Sequence, residues 1–239
     1  MSNVGSDDLL ERLTTIHERI ASACARAGRS AGSVRLVAAA KGVGVDTLRA
    51  AVAAGVTDVG ENYVQELGAM RAAVEGVTWH FIGTLQSGTA THVAELADVV
   101  ETVVPGRAAD RLARRAAGYG RELPVLLEVD FAQRGTGVPP ERVEEAADAL
   151  GSTEGLRLWG LMTLPPMPQI ADEARPFFRR LRELRDGLVE RHPHARELSM
   201  GMSLDYEVAI EEGATMVRIG TALFGARPPV DPGPVARAG

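Results

Sequence analysis

Eight short apolar runs recur along the 239 residues of this chain, and a stretch compatible with helix separates each from the next. The runs cover 34–40, 56–60, 78–82, 99–103, 124–129, 156–162, 197–200 and 216–220. The intervening helical stretches are 46–54, 63–74, 92–96, 107–119, 140–150, 170–191 and 204–212. Strands joined by helices at this spacing build parallel sheets, and eight of them in a chain of this length close into a single (β/α)8 barrel of the TIM type. An open doubly wound sheet is the alternative arrangement. One more helix, over 7–27, precedes the first strand: Leu9, Leu10, Leu13, Ile16 and Ile20 fall on one face, Ser6 stands at its start and Gly28 at its end. The barrel is expected over 1–227 as one domain, followed by a Pro-, Gly- and Ala-rich tail, 228–239, expected to be disordered.

Aromatic residues make up only 4% of the chain, so small and aliphatic side chains must fill the interior. A net charge of −6 with arginines scattered along the sequence argues against nucleic acid as a partner. No apolar run reaches the roughly 20 residues of a membrane helix. Cys24 is the single cysteine and the N-terminus lacks the regions of a signal peptide, so a reducing, cytoplasmic setting is expected.

Of 26 basic residues only Lys41 is a lysine. Nucleotide bias explains a general drift to arginine, but guanidinium cannot replace a primary amine where the chemistry needs a nucleophile. In a barrel the working residues stand at the C-terminal ends of strands, and Lys41 follows the first strand, on the same face as Val37 and Ala39 by alternation. Desolvation at an apolar rim favours the neutral amine, which attacks an aldehyde to give a Schiff base; a lysine snorkelling to the surface is the bland alternative. Asn62, after the second strand, offers a donor and an acceptor to a polar ring substituent, or else caps the next helix. His80 in the third strand reads as a satisfied structural histidine rather than a base.

The loops after strands seven and eight are where barrels commonly bind phosphate. Here Gly201, Gly220 and Gly225 allow close backbone approach, and Ser203 and Thr221 add hydroxyls. Ser203 also stands where a helix starting at Leu204 would need its cap; capping alone is the bland reading, and the two roles are compatible. Arg218 lies between Val217 and Ile219 and points to the opposite face from them, so it needs a buried partner. Asp205 or Glu207 could pair with it; alternatively it donates to the nitrogen of a pyridine cofactor, which would stay unprotonated and act as a weak electron sink. His192-Pro193-His194 lacks a third ligand, and no metal is expected. Cys24 reads as buried filler.

Together, Lys41 in its strand context, Gly60-Glu61-Asn62-Tyr63-Val64-Gln65-Glu66, Trp79-His80-Phe81-Ile82-Gly83-Thr84-Leu85-Gln86-Ser87, Gly160-Leu161-Met162-Thr163, Leu198-Ser199-Met200-Gly201-Met202-Ser203 and Val217-Arg218-Ile219-Gly220-Thr221-Ala222-Leu223-Phe224-Gly225 resemble the pyridoxal 5′-phosphate (PLP) homeostasis protein family, also called the proline synthase co-transcribed family. The resemblance runs in order over about 7–227. It implies a barrel like the N-terminal domain of alanine racemase, with PLP held as a Schiff base on Lys41. It also implies phosphate contacts around Ser203, Gly220 and Thr221, with Arg218 facing the pyridine and Asn62 near the ring. Relatives are regarded as carriers or regulators of PLP without established turnover, so the expected partners are PLP and PLP-dependent apoenzymes, and a monomer is expected. The chain departs from the family pattern in three places. Val43 stands where many relatives have a second lysine, Gln86-Ser87-Gly88-Thr89 replaces Gln-Ser-Asn-Lys, and Thr136 stands where a lysine is common.

Two enzymatic readings compete with a carrier. An amino-acid racemase would use the same lysine but needs proton-transfer groups on both faces of its substrate. Only Tyr63, Tyr119 and Tyr206 could supply the tyrosine, and the 14 residues after Gly225 are too few for the additional domain of a full-length racemase. A class I aldolase would use Lys41 on a sugar carbonyl with no cofactor.

Overall fold

A computed structural model of the chain describes residues 4–225. The tail expected to be disordered, 228–239, lies outside the described residues. Eight parallel strands close on themselves in sequence order: β1 (Arg35–Ala39), β2 (Asp58–Glu61), β3 (Thr78–Phe81), β4 (Val99–Val103), β5 (Leu123–Val129), β6 (Leu156–Thr163), β7 (Glu197–Ser199) and β8 (Met216–Ile219). The ring is sealed where β8 pairs with β1, Val217 opposite Leu36 and Ile219 opposite Ala38. Each expected strand is therefore present, and closure excludes the open sheet.

The helices are α1 (Val4–Arg26), α2 (Val45–Ala53), α3 (Val64–Ala73), α4 (Ala90–Leu96), α5 (Arg107–Gly118), α6 (Val143–Gly151), α7 (Arg175–Leu188), α8 (Tyr206–Glu211) and α9 (Thr221–Phe224). Two of the expected helices open with a tight 3-10 turn, Pro140–Arg142 before α6 and Ala171–Ala174 before α7. Pro140 begins the first of these, where its missing N–H costs nothing. The first helix starts at Val4, so Ser6 lies within it rather than capping it. Its end is set by Gly28, which takes a φ of +65° that a side chain would resist.

Alternation along the strands sorts the core into two parts. Outward residues such as Ala38, Val59, Phe81 and Leu127 pack under the helices, while Val37, Leu126, Met162 and Met216 form a separate cluster inside the barrel. The helix after β8 has only four residues, and α1 compensates. Leu9, Leu13, Ile16 and Ile20 are buried, and α1 lies against α8, α9 and α2 in the outer ring. Arg19 and Arg26 pair with Glu207, and Arg26 also with Glu211, across that seam. Cys24 is fully buried within α1. No helix among the described residues is long and apolar enough to cross a membrane.

Candidate functional site

Four neighbouring strands, β7, β8, β1 and β2, carry all six candidate residues to the C-terminal mouth of the barrel. Lys41 stands in the turn just after β1, where Val43 N–H donates to the Ala40 carbonyl at 2.8 Å and Gly42 adopts a φ of +71°. It is half-buried, and its Nζ lies 5.0 Å from the centre of the Tyr63 ring. None of the described carboxylates lies within ion-pairing distance of it. The register that sets Ala39 beside Gly60 places Asn62, two residues further on, at the level of Lys41. Asn62 does not cap α3, whose capping position is Tyr63. On the other side of β1, Ala38 opposite Ile219 brings Gly220 and Thr221 to the same rim.

Ser203 comes from the loop after β7 and does not cap a helix at Leu204, because α8 begins only at Tyr206. Its hydroxyl instead accepts the Ala222 N–H at 3.2 Å and takes a hydrogen bond from the Thr221 hydroxyl at 3.2 Å, tying the two loops together. Asp205 holds the same loop by accepting the Met202 N–H at 2.7 Å. Among the described residues, no acceptor takes the amides of Gly220 and Thr221. Two hydroxyls and free amides on adjoining loops form a donor cluster suited to an anion. Gly201 makes the loop possible: its φ is +92°, and a Cβ there would lie 2.5 Å from Ala209 Cβ and 2.9 Å from Tyr206 Cα.

Arg218 points into the barrel, as alternation requires, and is 5% exposed. Its partners are neither Asp205 nor Glu207. Glu207 is taken by the arginines of α1. Arg218 Nη1 donates to the Ser199 hydroxyl and Nη2 to the Thr163 carbonyl at 2.9 Å, and the Glu101 carboxylate lies 3.7 Å away. Neither Asp205 nor Glu207 hydrogen-bonds to Arg218; Ser199 and Thr163, from other strands, supply its acceptors. Burial lowers its pKa, and the charges of Glu101, Asp205 and Glu128 oppose that shift.

Glu101 leads to a buried polar chain. Its Oε2 accepts from Ser199 Oγ at 2.5 Å, and its Oε1 meets His80 Nδ1 at 2.7 Å. His80 Nε2 in turn meets Asp58 Oδ1 at 3.1 Å, and Thr57 donates to the other Asp58 oxygen. Burial works against a charge on His80, but hydrogen bonds to Asp58 and Glu101 outweigh it and raise the pKa to about 9. Glu101 is held below the usual range: burial pulls upward, while the His80 hydrogen bond and the charges of His80 and Arg218 prevail. His80 is thus a satisfied core histidine, as expected. Its acidic partner Glu101 was detectable only as a lone charge in the run 99–103.

Two other groups stand at the mouth, where sequence reasoning placed neither. Tyr63 is the tyrosine beside Lys41; Tyr206 is buried at the start of α8 against Arg19, and Tyr119 is exposed against Arg115. Glu61 ends β2 fully buried, and neither carboxyl oxygen has a hydrogen-bond partner among the described residues. Burial and then the charge of Glu66 push its pKa up to about 8, so it is a neutral acid at pH 7. Glu66 itself accepts the N–H of Gly42, next to Lys41, at 3.4 Å.

A closed parallel barrel with a lysine after its first strand and a cluster of hydroxyl and amide donors after its last two defines a class, and residues 12–228 match the family model "Alanine racemase, N-terminal domain". The chain belongs to the pyridoxal phosphate homeostasis protein family. It is 40% identical over 225 residues to the pyridoxal phosphate homeostasis protein of Aquifex aeolicus, covering 91% of this chain and 97% of that one. PipY of Synechococcus elongatus, solved with PLP bound, superposes with a TM-score of 0.80 at 33% identity, covering 91% of this chain and all of that one. An alanine racemase from Clostridium difficile shares the fold alone, with 16% identity, a TM-score of 0.73 and 57% of its own chain covered.

Proposed function

We propose that this chain binds PLP and serves its homeostasis as a carrier, with Lys41 as the covalent anchor. The observation that carries this reading is the placement of the chain's one lysine between β8 and β2. Its neighbours there are the Ser203–Thr221 hydroxyl pair on one side and Asn62 on the other. The donor set fits the group. Hydroxyls and free amides suit its phosphate, a buried guanidinium suits a ring nitrogen that carries a lone pair, and a primary amine suits its aldehyde. An aldehyde condenses reversibly with such an amine and releases water, so an incoming amine can displace Lys41 and take the cofactor away. That exchange needs no catalytic base.

Ser203, Gly220 and Thr221 are assigned to the phosphate, Asn62 to the ring's polar edge and Arg218 to the ring nitrogen. A guanidinium keeps its protons at any ordinary pH. It therefore leaves the ring nitrogen unprotonated and restrains carbanion chemistry, which suits a carrier better than a racemase. Tyr63 presents its ring face to Lys41 from the same rim, whereas racemisation needs a second proton-transfer group on the opposite face of the substrate. PLP-dependent apoenzymes are the recipients this reading points to, and we take the carrier to be a cytoplasmic monomer. The buried lone cysteine fits a reducing compartment.

The purified protein incubated with PLP should become yellow, and borohydride should bleach it while fixing the cofactor to the peptide that contains Lys41. Lys41→Ala should bind PLP only as the free aldehyde, without the imine spectrum, and borohydride should fix no cofactor to it. A colourless wild type, or label on another residue, would refute the assignment. Deuterium exchange with inversion at the α-carbon of alanine in D2O would favour the racemase.

A further inference from the structure

Most barrels fill their interior with branched aliphatic layers. In this one the inward positions of five strands carry Asp58, His80, Glu101, Ser199 and Arg218. Replacing a buried ionic array with apolar side chains is commonly neutral or stabilising. Such an array is thus weak evidence for stability, and its geometry indicates another use.

The geometry is unequal in an informative way. Arg218 and Glu101 are opposite charges 3.7 Å apart, yet they share no direct hydrogen bond. A free carboxylate would form a two-point fork with the guanidinium. Glu101 instead turns its two oxygens to other donors, one to His80 and one to Ser199, and stands back from the guanidinium. His80 is itself fixed from behind by Asp58. Arg218 consequently spends one proton on Ser199 and one on the Thr163 carbonyl. Of its five N–H donors, the other three have no acceptor among the described residues, while the nearby carboxylate still compensates the charge.

We propose that Glu101, Ser199 and His80 are positioning residues. They hold Arg218 stationary, with N–H groups free to meet the ring nitrogen of PLP. This rests on the assignment of Arg218 to that nitrogen. None of the three touches the cofactor; each acts through the guanidinium.

The test compares PLP with its 1-deaza analogue, in which the ring nitrogen is a C–H. Both are titrated into wild type, Glu101→Gln and Ser199→Ala, with urea unfolding of each apo-protein in parallel. Wild type should favour PLP. Each substitution should weaken PLP binding about tenfold, the scale of one hydrogen bond to a charged group, and leave the analogue's affinity unchanged. Ser199→Ala removes only one oxygen and keeps the test available if Glu101→Gln folds poorly. Equal losses for both ligands, or loss of unfolding free energy alone, would make the chain structural and overturn the inference while Arg218 keeps its role. A wild type that binds both ligands equally would remove that role, and the inference with it.

Discussion

Replacing His80 with glutamine should change how stability depends on pH, and the size follows from the site. In the folded chain the imidazole sits at a pKa of about 9, against an ordinary value of 6.5. The folded value is the higher one, so the contribution is complete below pH ~6.5 and is lost as pH rises through ~9. A difference of about 2.5 units at 1.36 kcal/mol each gives ~3 kcal/mol. Glu61 also loses stability as pH rises, between its ordinary 4.5 and about 8, but it is common to both proteins and cancels in the comparison. Urea unfolding of wild type and His80→Gln at intervals from about pH 6 to 10 supplies the measurement. The stability advantage of wild type should shrink by ~3 kcal/mol across that range, and the His80 ring proton should titrate near the upper end by NMR. An advantage that stays constant with pH, or a ring midpoint near 6.5, would show that Asp58 and Glu101 do not hold a charged imidazole.

Gly201→Ala should cost about 2–4 kcal/mol, since it adds a side chain at positive φ and drives its Cβ into Ala209 and Tyr206. PLP affinity should fall with it as the Ser203 loop shifts, and unfolding curves within 0.5 kcal/mol of wild type would contradict this. The stability of Glu61→Gln relative to wild type should rise by about 3 kcal/mol between pH 5 and pH 8, because only the carboxyl resists ionisation when buried. Equal effects at the two pH values would count against a neutral Glu61.

The strands and the first helix were legible because burial imposes period on sequence. Leu9, Leu13, Ile16 and Ile20 can only be one helical stripe, and the run 99–103 can only be a buried strand. Lys41 and the glycine-rich ends of β7 and β8 were equally plain, since an isolated amine and glycines beside hydroxyls are chemical statements in themselves. The partner of Arg218 was not legible. Neighbours in sequence offered Asp205 and Glu207, whereas closure of the barrel brings Glu101, 117 residues away, and Ser199 to face it. The capping reading of Ser203 fails for a related reason. Its hydroxyl looked local, as a cap, but α8 starts late and the hydroxyl bridges to Ala222 instead. Periodicity reports which way a residue faces; it carries no information about what stands across the barrel.

The seam sealed by α1 orders events in time. The stripe of Leu9, Leu13, Ile16 and Ile20 is made before any of the strands it helps to cover, and Glu207 and Glu211, the ion partners of Arg19 and Arg26 in the same helix, follow some 180 residues later. At 5–20 residues per second, that surface stays bare for roughly ten seconds or more. During that interval the nascent chain needs either a chaperone or its own charged outer face to keep from sticking to its neighbours.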